Sequence, residues 1–266
     1  MIYSFEVKIL KSEEKKHQEF FDLSIENKNA KGIKIAVYKE SAVILDNKGY
    51  VYIFSLTKKS LDKRKSSLLS KAKSVSMYED SIYFLTPDGV YSIDEKNKTK
   101  KIVSKDKDWK GVSDIISYAG NIYLLDNKAS RVYKYISTEQ GFSQKNDYFA
   151  RGQEVDLEKA LSFAIDSSLY IGFSQSIMKF TSGLRDGFST SYPKEKINVA
   201  KIYTDQECEN IYALSKIDGI LYILSKTGSY EKQIKSSIFK TASDFVVYNK
   251  SAFLILGSKI YKVELE

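Results

Sequence analysis

The sequence predicts an all-β protein: a six-bladed β-propeller of four-stranded antiparallel blades, closed by an N-terminal strand that completes the last blade. Three observations carry this. Short apolar and aromatic runs alternate with polar turns along the whole chain of 266 residues. The last large apolar residue of each second strand recurs at Leu45, Leu85, Leu125, Phe173, Leu214 and Leu256, in steps of 40, 40, 48, 41 and 42. A period of 40–45 residues built from strands alone is the mark of propeller blades. Finally, the stretch after Leu256 and the stretch up to Leu45 together hold 55 residues, about one strand more than a repeat. A ring closed by pairing the two ends needs that overhang.

Composition agrees. Hydrophobic residues make up 42% of the chain, enough for a packed core. The 20 tyrosines and 14 phenylalanines suit pleated, half-buried surfaces. No apolar run reaches the roughly 18 residues of a membrane span. The start, Met1–Lys8, alternates like a strand rather than like a secretion signal. The chain as given reads as a soluble domain. That fits the cytoplasm or, if it is a fragment, the outer part of a membrane protein.

The units follow in order. Unit one has Lys34–Tyr38, Ala42–Leu45 and Tyr50–Phe54; unit two has Val75–Tyr78, Ser81–Leu85 and Gly89–Ile93. Unit three has Asp114–Tyr118, then Asn121–Leu125 and Arg131–Tyr135 around the turn 126–130. Unit four has Phe163–Ile165, Leu169–Phe173 and Ile177–Phe180. Unit five has Ala200–Tyr203, Ile211–Leu214 and Ile220–Leu224; unit six has Asp244–Tyr248, Ala252–Leu256 and Lys259–Val263. Blade cores are expected over about 33–54, 75–93, 114–135, 161–180, 199–224 and 242–265, in one domain over 1–266. Fourth, outer strands are more polar, with Gln144–Phe149 and Tyr230–Lys235 the clearest. Lysine-rich edges of this kind resist pairing with other chains.

Residues 1–25 are assigned to ring closure, through either His17–Ile25 or Ile2–Leu10. In the link Gln153–Ser162, Val155, Leu157, Ala160 and Leu161 fall on one face, so a short helix is expected there.

Ile122–Asp126 followed by Arg131-Val132-Tyr133-Lys134-Tyr135 resembles an NHL-type repeat: an aliphatic strand ending in Asp, a polar turn, then Arg-aliphatic-x-Lys-aromatic. Other units depart from it. Thr86, Ser174 and Ser215 stand where Asp126 does, only Asp46 keeps the acid, and Arg131 has no counterpart. The series Arg151-Gly152-Gln153, Phe163–Asp166, Lys179–Gly183, Lys201–Thr204 and Thr241–Val247 is similar to a propeller domain of candidate-phylum bacteria. That domain often follows a PPM-type phosphatase domain. The resemblance covers about Tyr118 to Glu266 and implies fold and domain context rather than chemistry. The phosphatase's metal-binding aspartate motifs are absent from this sequence.

Candidate chemistry is sparse. His17 is the only histidine, which excludes histidine triads and multi-histidine metal sites, and it lies in a polar run. Cys208, the only cysteine, sits in an acidic turn that raises a thiol pKa, so a nucleophilic role is not expected. Thr86–Gly89 and Ser225–Gly228 are hairpin turns, not phosphate cradles. No cofactor or metal is expected. The opening position of each innermost strand, Lys34, Ser74, Asp114, Leu161, Lys201 and Asp244, should line one mouth of the central channel. Asp114 and Asp244, three blades apart, should face each other there. Two acids among two lysines suggest a mouth closed by salt bridges rather than a catalytic centre. Aromatics in the links, Trp109, Tyr148, Phe149 and Tyr192, are expected to pin loops onto blades, with base stacking the alternative.

The formal net charge is +8, and residues 57–107 carry 13 Lys+Arg against 7 Asp+Glu. Lys58, Lys59, Lys63, Arg64, Lys65, Lys71 and Lys73 form a candidate basic surface. The sequence thus favours a monomeric, non-catalytic binding or scaffold domain with a protein partner. The alternative is RNA or another polyanion bound through 57–107, and a lactonase- or glycosidase-like enzyme is a third.

Overall fold

The computed structural model describes residues 14–58, 60–193 and 197–266. Six four-stranded antiparallel sheets stand radially around a central channel, each running from an inner to an outer strand. Blade one comprises Gly32–Tyr38, Ser41–Asp46, Tyr50–Ser55 and Leu61–Lys65; blade two comprises Ser74–Tyr78, Ser81–Thr86, Gly89–Ile93 and Thr99–Ser104. Blade three comprises Val112–Tyr118, Asn121–Asp126, Arg131–Tyr135 and Asn146–Asp147; blade four, Ser162–Ile165, Leu169–Gly172, Ile177–Thr181 and Leu184–Arg185. Blade five comprises Lys201–Tyr203, Asn210–Ser215, Ile220–Ser225 and Tyr230–Lys235. Blade six takes three strands from the end of the chain, Asp244–Tyr248, Ser251–Leu256 and Lys259–Glu264, and its fourth from the beginning, His17–Asp22.

Ring closure therefore falls to the first of the two expected segments, and it ends at Asp22 rather than Ile25. His17 pairs with Val263 and Asp22 with Lys259, with a bulge at Phe20. Asp22 then accepts the Ser24 N–H at 2.9 Å and caps a helical turn, Leu23–Glu26, which stops the strand. Ile2–Leu10 lies outside the described residues.

The core is divided among the interfaces between neighbouring blades. Val43, Leu45 and Leu69 pack with Val75 and Phe84 between blades one and two, and Ile35 and Tyr52 meet Phe253 and Ile255 across the closure. Corresponding clusters fill the other four interfaces. Each blade thus buries both faces, which explains why second strands read as continuous apolar runs. The turns after the inner strands are tight: Ala119 and Gly120 have φ of 49° and 77°, the left-handed pair of a two-residue hairpin turn. Gly183 has φ +82°, and a Cβ there would meet the Tyr148 carbonyl oxygen at 2.5 Å, so only glycine fits.

Two expectations are corrected. No helix forms over Gln153–Ser162. Instead Asn127 donates to the carbonyls of Leu157 (3.0 Å) and Ala160 (2.8 Å), and Leu157 N–H donates to Ser130 Oγ at 3.0 Å. Side chains of the blade-three turn thereby hold backbone groups that a helix would have paired internally. The outer strand of blade three is only Asn146–Asp147, because Phe149 turns inward to pack on Phe180, 4.9 Å between ring centres.

Candidate functional site

Residues at or near the start of each inner strand stand together at one end of the channel. Lys34 Nζ lies 2.6 Å from Asp114 Oδ2, and Ser74 Oγ donates to Asp114 Oδ1 at 2.5 Å. Lys201 makes an ion pair with Asp244, whose other oxygen accepts the Ile35 N–H at 2.9 Å. These side chains are 3–17% exposed, so their charges are largely removed from water. Asp114 and Asp244 stand three blades apart, each held by a lysine.

In blade four the ring position belongs to Ser162, not Leu161. Ser162 pairs with Gly172, one residue before the apolar marker Phe173. Ser162 is buried and accepts the Ile202 N–H at 2.9 Å, whereas Leu161 is 51% exposed. The ring therefore reads Lys34, Ser74, Asp114, Ser162, Lys201, Asp244. Its short polar side chains stitch one blade to the next: Ser162 and Asp244 each accept a backbone N–H of the following blade.

The electrostatics follow from this packing. Burial acts to raise the Asp114 pKa, but the Lys34 and Lys201 ammoniums and the hydrogen bonds from Lys34 and Ser74 outweigh it and hold it below the usual carboxylate value. Burial, and next the Lys34 ammonium, press Lys201 down, while Asp114 opposes them. The Asp244 carboxylate against Lys201 is the counterion that a buried ammonium requires.

This ionic layer lies between two spaces. Outside it is a recess of about 280 Å³ lined by Lys216 and Ser243. Inside it is a cavity of about 100 Å³, walled by apolar residues such as Val37, Met77 and Ile165 and reaching the opposite mouth. Sequence reading missed that opposite mouth. Tyr38, Tyr78 and Tyr118 line it from three successive blades, with Tyr38 and Tyr78 ring centres 4.8 Å apart. The signal was present, since these tyrosines recur at intervals of 40 residues. The blade-five loop after Tyr203 adds Asp205, Gln206 and Glu207 to the rim. Asp205 accepts the Tyr203 hydroxyl at 2.5 Å and the Cys208 N–H at 2.9 Å.

The other singled-out residues are structural in placement. Asp126, fully buried, accepts N–H groups of Lys110, Gly111 and Ala129 at 2.8–2.9 Å. Asp46 does the same for Lys48 and Tyr50. Where serine or threonine replaces the acid, Thr86 and Ser215 donate instead to Asp88 and Asp218 in the same turn. Trp109 is buried and donates to the Tyr135 hydroxyl at 3.1 Å, and Tyr192 packs edge-on to Tyr222. His17 meets Tyr261 edge-on at 5.3 Å on the outermost strand of blade six. Burial, then Asp205, push the Cys208 thiol far up.

The basic residues are spread over one blade edge and the following link. Lys63, Arg64 and Lys65 lie on the outer strand of blade one, Lys58 on the preceding turn, and Lys71 and Lys73 on the way to blade two. Lys63 pairs with Glu26 at 3.1 Å, Arg64 with Asp62 at 3.2 Å and Lys58 with Glu40 at 3.8 Å. Lys65 lies 5.0 Å from the centre of the Tyr50 ring. Lys59 falls outside the described residues. Among the described residues no group of three or more His, Cys, Asp or Glu side chains is placed to hold a metal ion. No helix among them is long and apolar enough to cross a membrane.

No family profile and no curated protein sequence matches this chain. Solved structures do. Virginiamycin B lyase from Staphylococcus aureus is similar over 95% of this chain and all of its own, with a TM-score of 0.64 and 12% identity. A Xanthomonas campestris gluconolactonase is similar over 89% of this chain and 86% of its own (TM-score 0.63, 13% identity). A chain of the nidogen/laminin complex is similar over 80% and 82% (TM-score 0.59, 10% identity). The shared property is the six-bladed propeller fold. These neighbours include both enzymes and a binding propeller, and at such identities no activity follows.

Proposed function

We propose that this chain is a non-catalytic binding propeller that engages a protein partner through its loops, as the interaction or sensory domain of a larger protein. One observation carries the reading: the four inner-strand charges at one channel end, Lys34, Asp114, Lys201 and Asp244, are spent on one another. A general acid or base must exchange its proton with a substrate. Asp114 and Asp244 are each held by a lysine and by further hydrogen bonds.

Two further points support it. A variant of the similar lyase in which a histidine is replaced by alanine is catalytically inactive. The one histidine here, His17, stands on an outermost strand rather than in the channel. The resemblance of the second half to propellers that accompany PPM-type phosphatase domains supports a sensory context.

The test is chemical cross-linking of the purified chain in extract of its source organism, followed by reconstitution with the purified partner. A stoichiometric complex that survives 0.5 M salt is expected. Turnover of a lactone that disappears in Asp114→Asn or Asp244→Asn would overturn the reading in favour of an enzyme. The net charge of +8 favours a second reading, RNA or polyanion binding. It requires affinity that falls steeply with salt and is lost on reversing Lys63, Lys65, Lys71 and Lys73.

A further inference from the structure

The tyrosine-rimmed end of the channel is a blind pocket. Its floor is the ion-paired layer of Lys34 and Lys201, and its mouth opens between Tyr38, Tyr78 and Tyr118. A volume of about 100 Å³ suits one apolar side chain, and is well below the roughly 300–1,000 Å³ of sites that enclose a whole small molecule. The walls are apolar, which favours an aromatic or aliphatic group there.

The surroundings of the mouth decide what carries that group. From the rim, concave surface continues across blades five and six, sharing first Asp205 and Glu207, then Glu207 and Cys208. Glu207 and Glu209 are exposed along this path. Two of its lysines are engaged, Lys250 pairing with Glu266 at 2.7 Å and Lys232 donating to the Leu265 carbonyl at 2.6 Å. A third, Lys39, lies over the Tyr38 ring at the rim and is outnumbered by Asp205, Glu207, Glu209 and Glu231. On a protein of net charge +8, an acidic furrow leading to an apolar pocket is complementary to a basic chain.

We infer that this end of the channel docks an extended basic peptide segment of a protein partner, one apolar side chain of which enters the pocket. The inference rests on the binding-propeller reading and adds the face and chemistry of the partner. It involves the channel end remote from the Lys34–Asp114 layer's outer recess, and it requires no covalent step.

The protein contains three methionines, and Met77 lines the pocket while Met178 packs between blades three and four. Methyl-labelled methionine therefore gives an NMR probe and an internal control. Acetyl-Lys-Lys-Phe-Lys-Lys-amide should move the Met77 resonance and leave Met178 in place. Glycine in place of phenylalanine should abolish the shift. The exposed double variant Glu207→Lys/Glu209→Lys should weaken binding by about tenfold with an unchanged melting temperature. Equal binding of acetyl-Glu-Glu-Phe-Glu-Glu-amide would overturn the inference, as would an unmoved Met77 signal at millimolar peptide. In the second case a salt-resistant complex from the cross-linking experiment would leave the binding-propeller reading standing.

Discussion

Lys34 and Asp114 are 80 residues apart in the chain, yet Nζ and Oδ2 lie 2.6 Å apart across blades one and three. Both side chains are about five-sixths buried, so neither charge is solvated well by water alone. Removing one partner leaves the other stranded. Asp114→Leu is expected to destabilise the fold by about 3 kcal/mol, and Lys34→Met/Asp114→Leu to recover most of that. Urea melts of the two variants decide it. Equal destabilisation by both would show that the pair itself, not an orphaned charge, sets the cost.

Stability should fall at both extremes of pH. Asp114 and Asp166 are held below the usual carboxylate value, against burial, by lysines and hydrogen bonds. Their contribution is complete above the unfolded carboxylate pKa and is lost as pH falls through the lowered folded values. Tyr133, Tyr135, Tyr148 and Tyr222 are pushed up to about 12, chiefly by burial. Their contribution is complete below the unfolded tyrosine pKa, roughly 10, and is lost as pH rises toward the folded values. Tyrosinate absorbance followed alongside circular dichroism should show these side chains ionising late and together with unfolding.

Closure of the ring depends on a strand contributed by the other end of the chain. Phe20 packs against Phe253 at 5.1 Å and Phe54 at 5.6 Å, joining blades six and one. Phe20→Ala should cost about 2 kcal/mol, below the roughly 3–5 kcal/mol of a fully buried phenylalanine because this one is only partly buried. Thermal unfolding measures it. Removal of residues 1–22 should cost far more, since blade six then loses its outer strand and the covered edge of Lys259–Glu264.

Cys208 should react slowly. Its thiol is pushed far up by burial and then by Asp205, so little thiolate exists near neutrality. Iodoacetamide at pH 8 should label the native chain much more slowly than the urea-unfolded chain. Comparable rates would show that the blade-five loop opens readily.

The resemblance to NHL repeats and the turn acids illustrate how motif and role can separate. Asp126 ends its strand as the motif requires, and the structure uses it to hold three backbone N–H groups. Thr86 and Ser215 serve at the same position because their side chains reach an aspartate two or three residues on, and Ser174 donates to Asn198 instead. Variation at this position therefore does not imply a lost site.

The sequence by itself determined the six blades and the N-terminal closure, because every blade must present the same alternation and turn spacing to its neighbours. It also placed Lys34, Ser74, Asp114, Lys201 and Asp244 around one mouth, since residues at matching positions of repeated inner strands face the same way. Blade four escaped because its inner strand opens at Ser162, which pairs with Gly172, one residue past the predicted Leu161, and a one-residue slip exchanges the two faces of a strand. Only the tertiary structure decided which lysine meets which acid, why 153–162 is a pinned loop, and that the tyrosines at 38, 78 and 118 share a rim. Those outcomes depend on distances between residues 27 to 80 positions apart, which radial packing sets and local sequence does not encode.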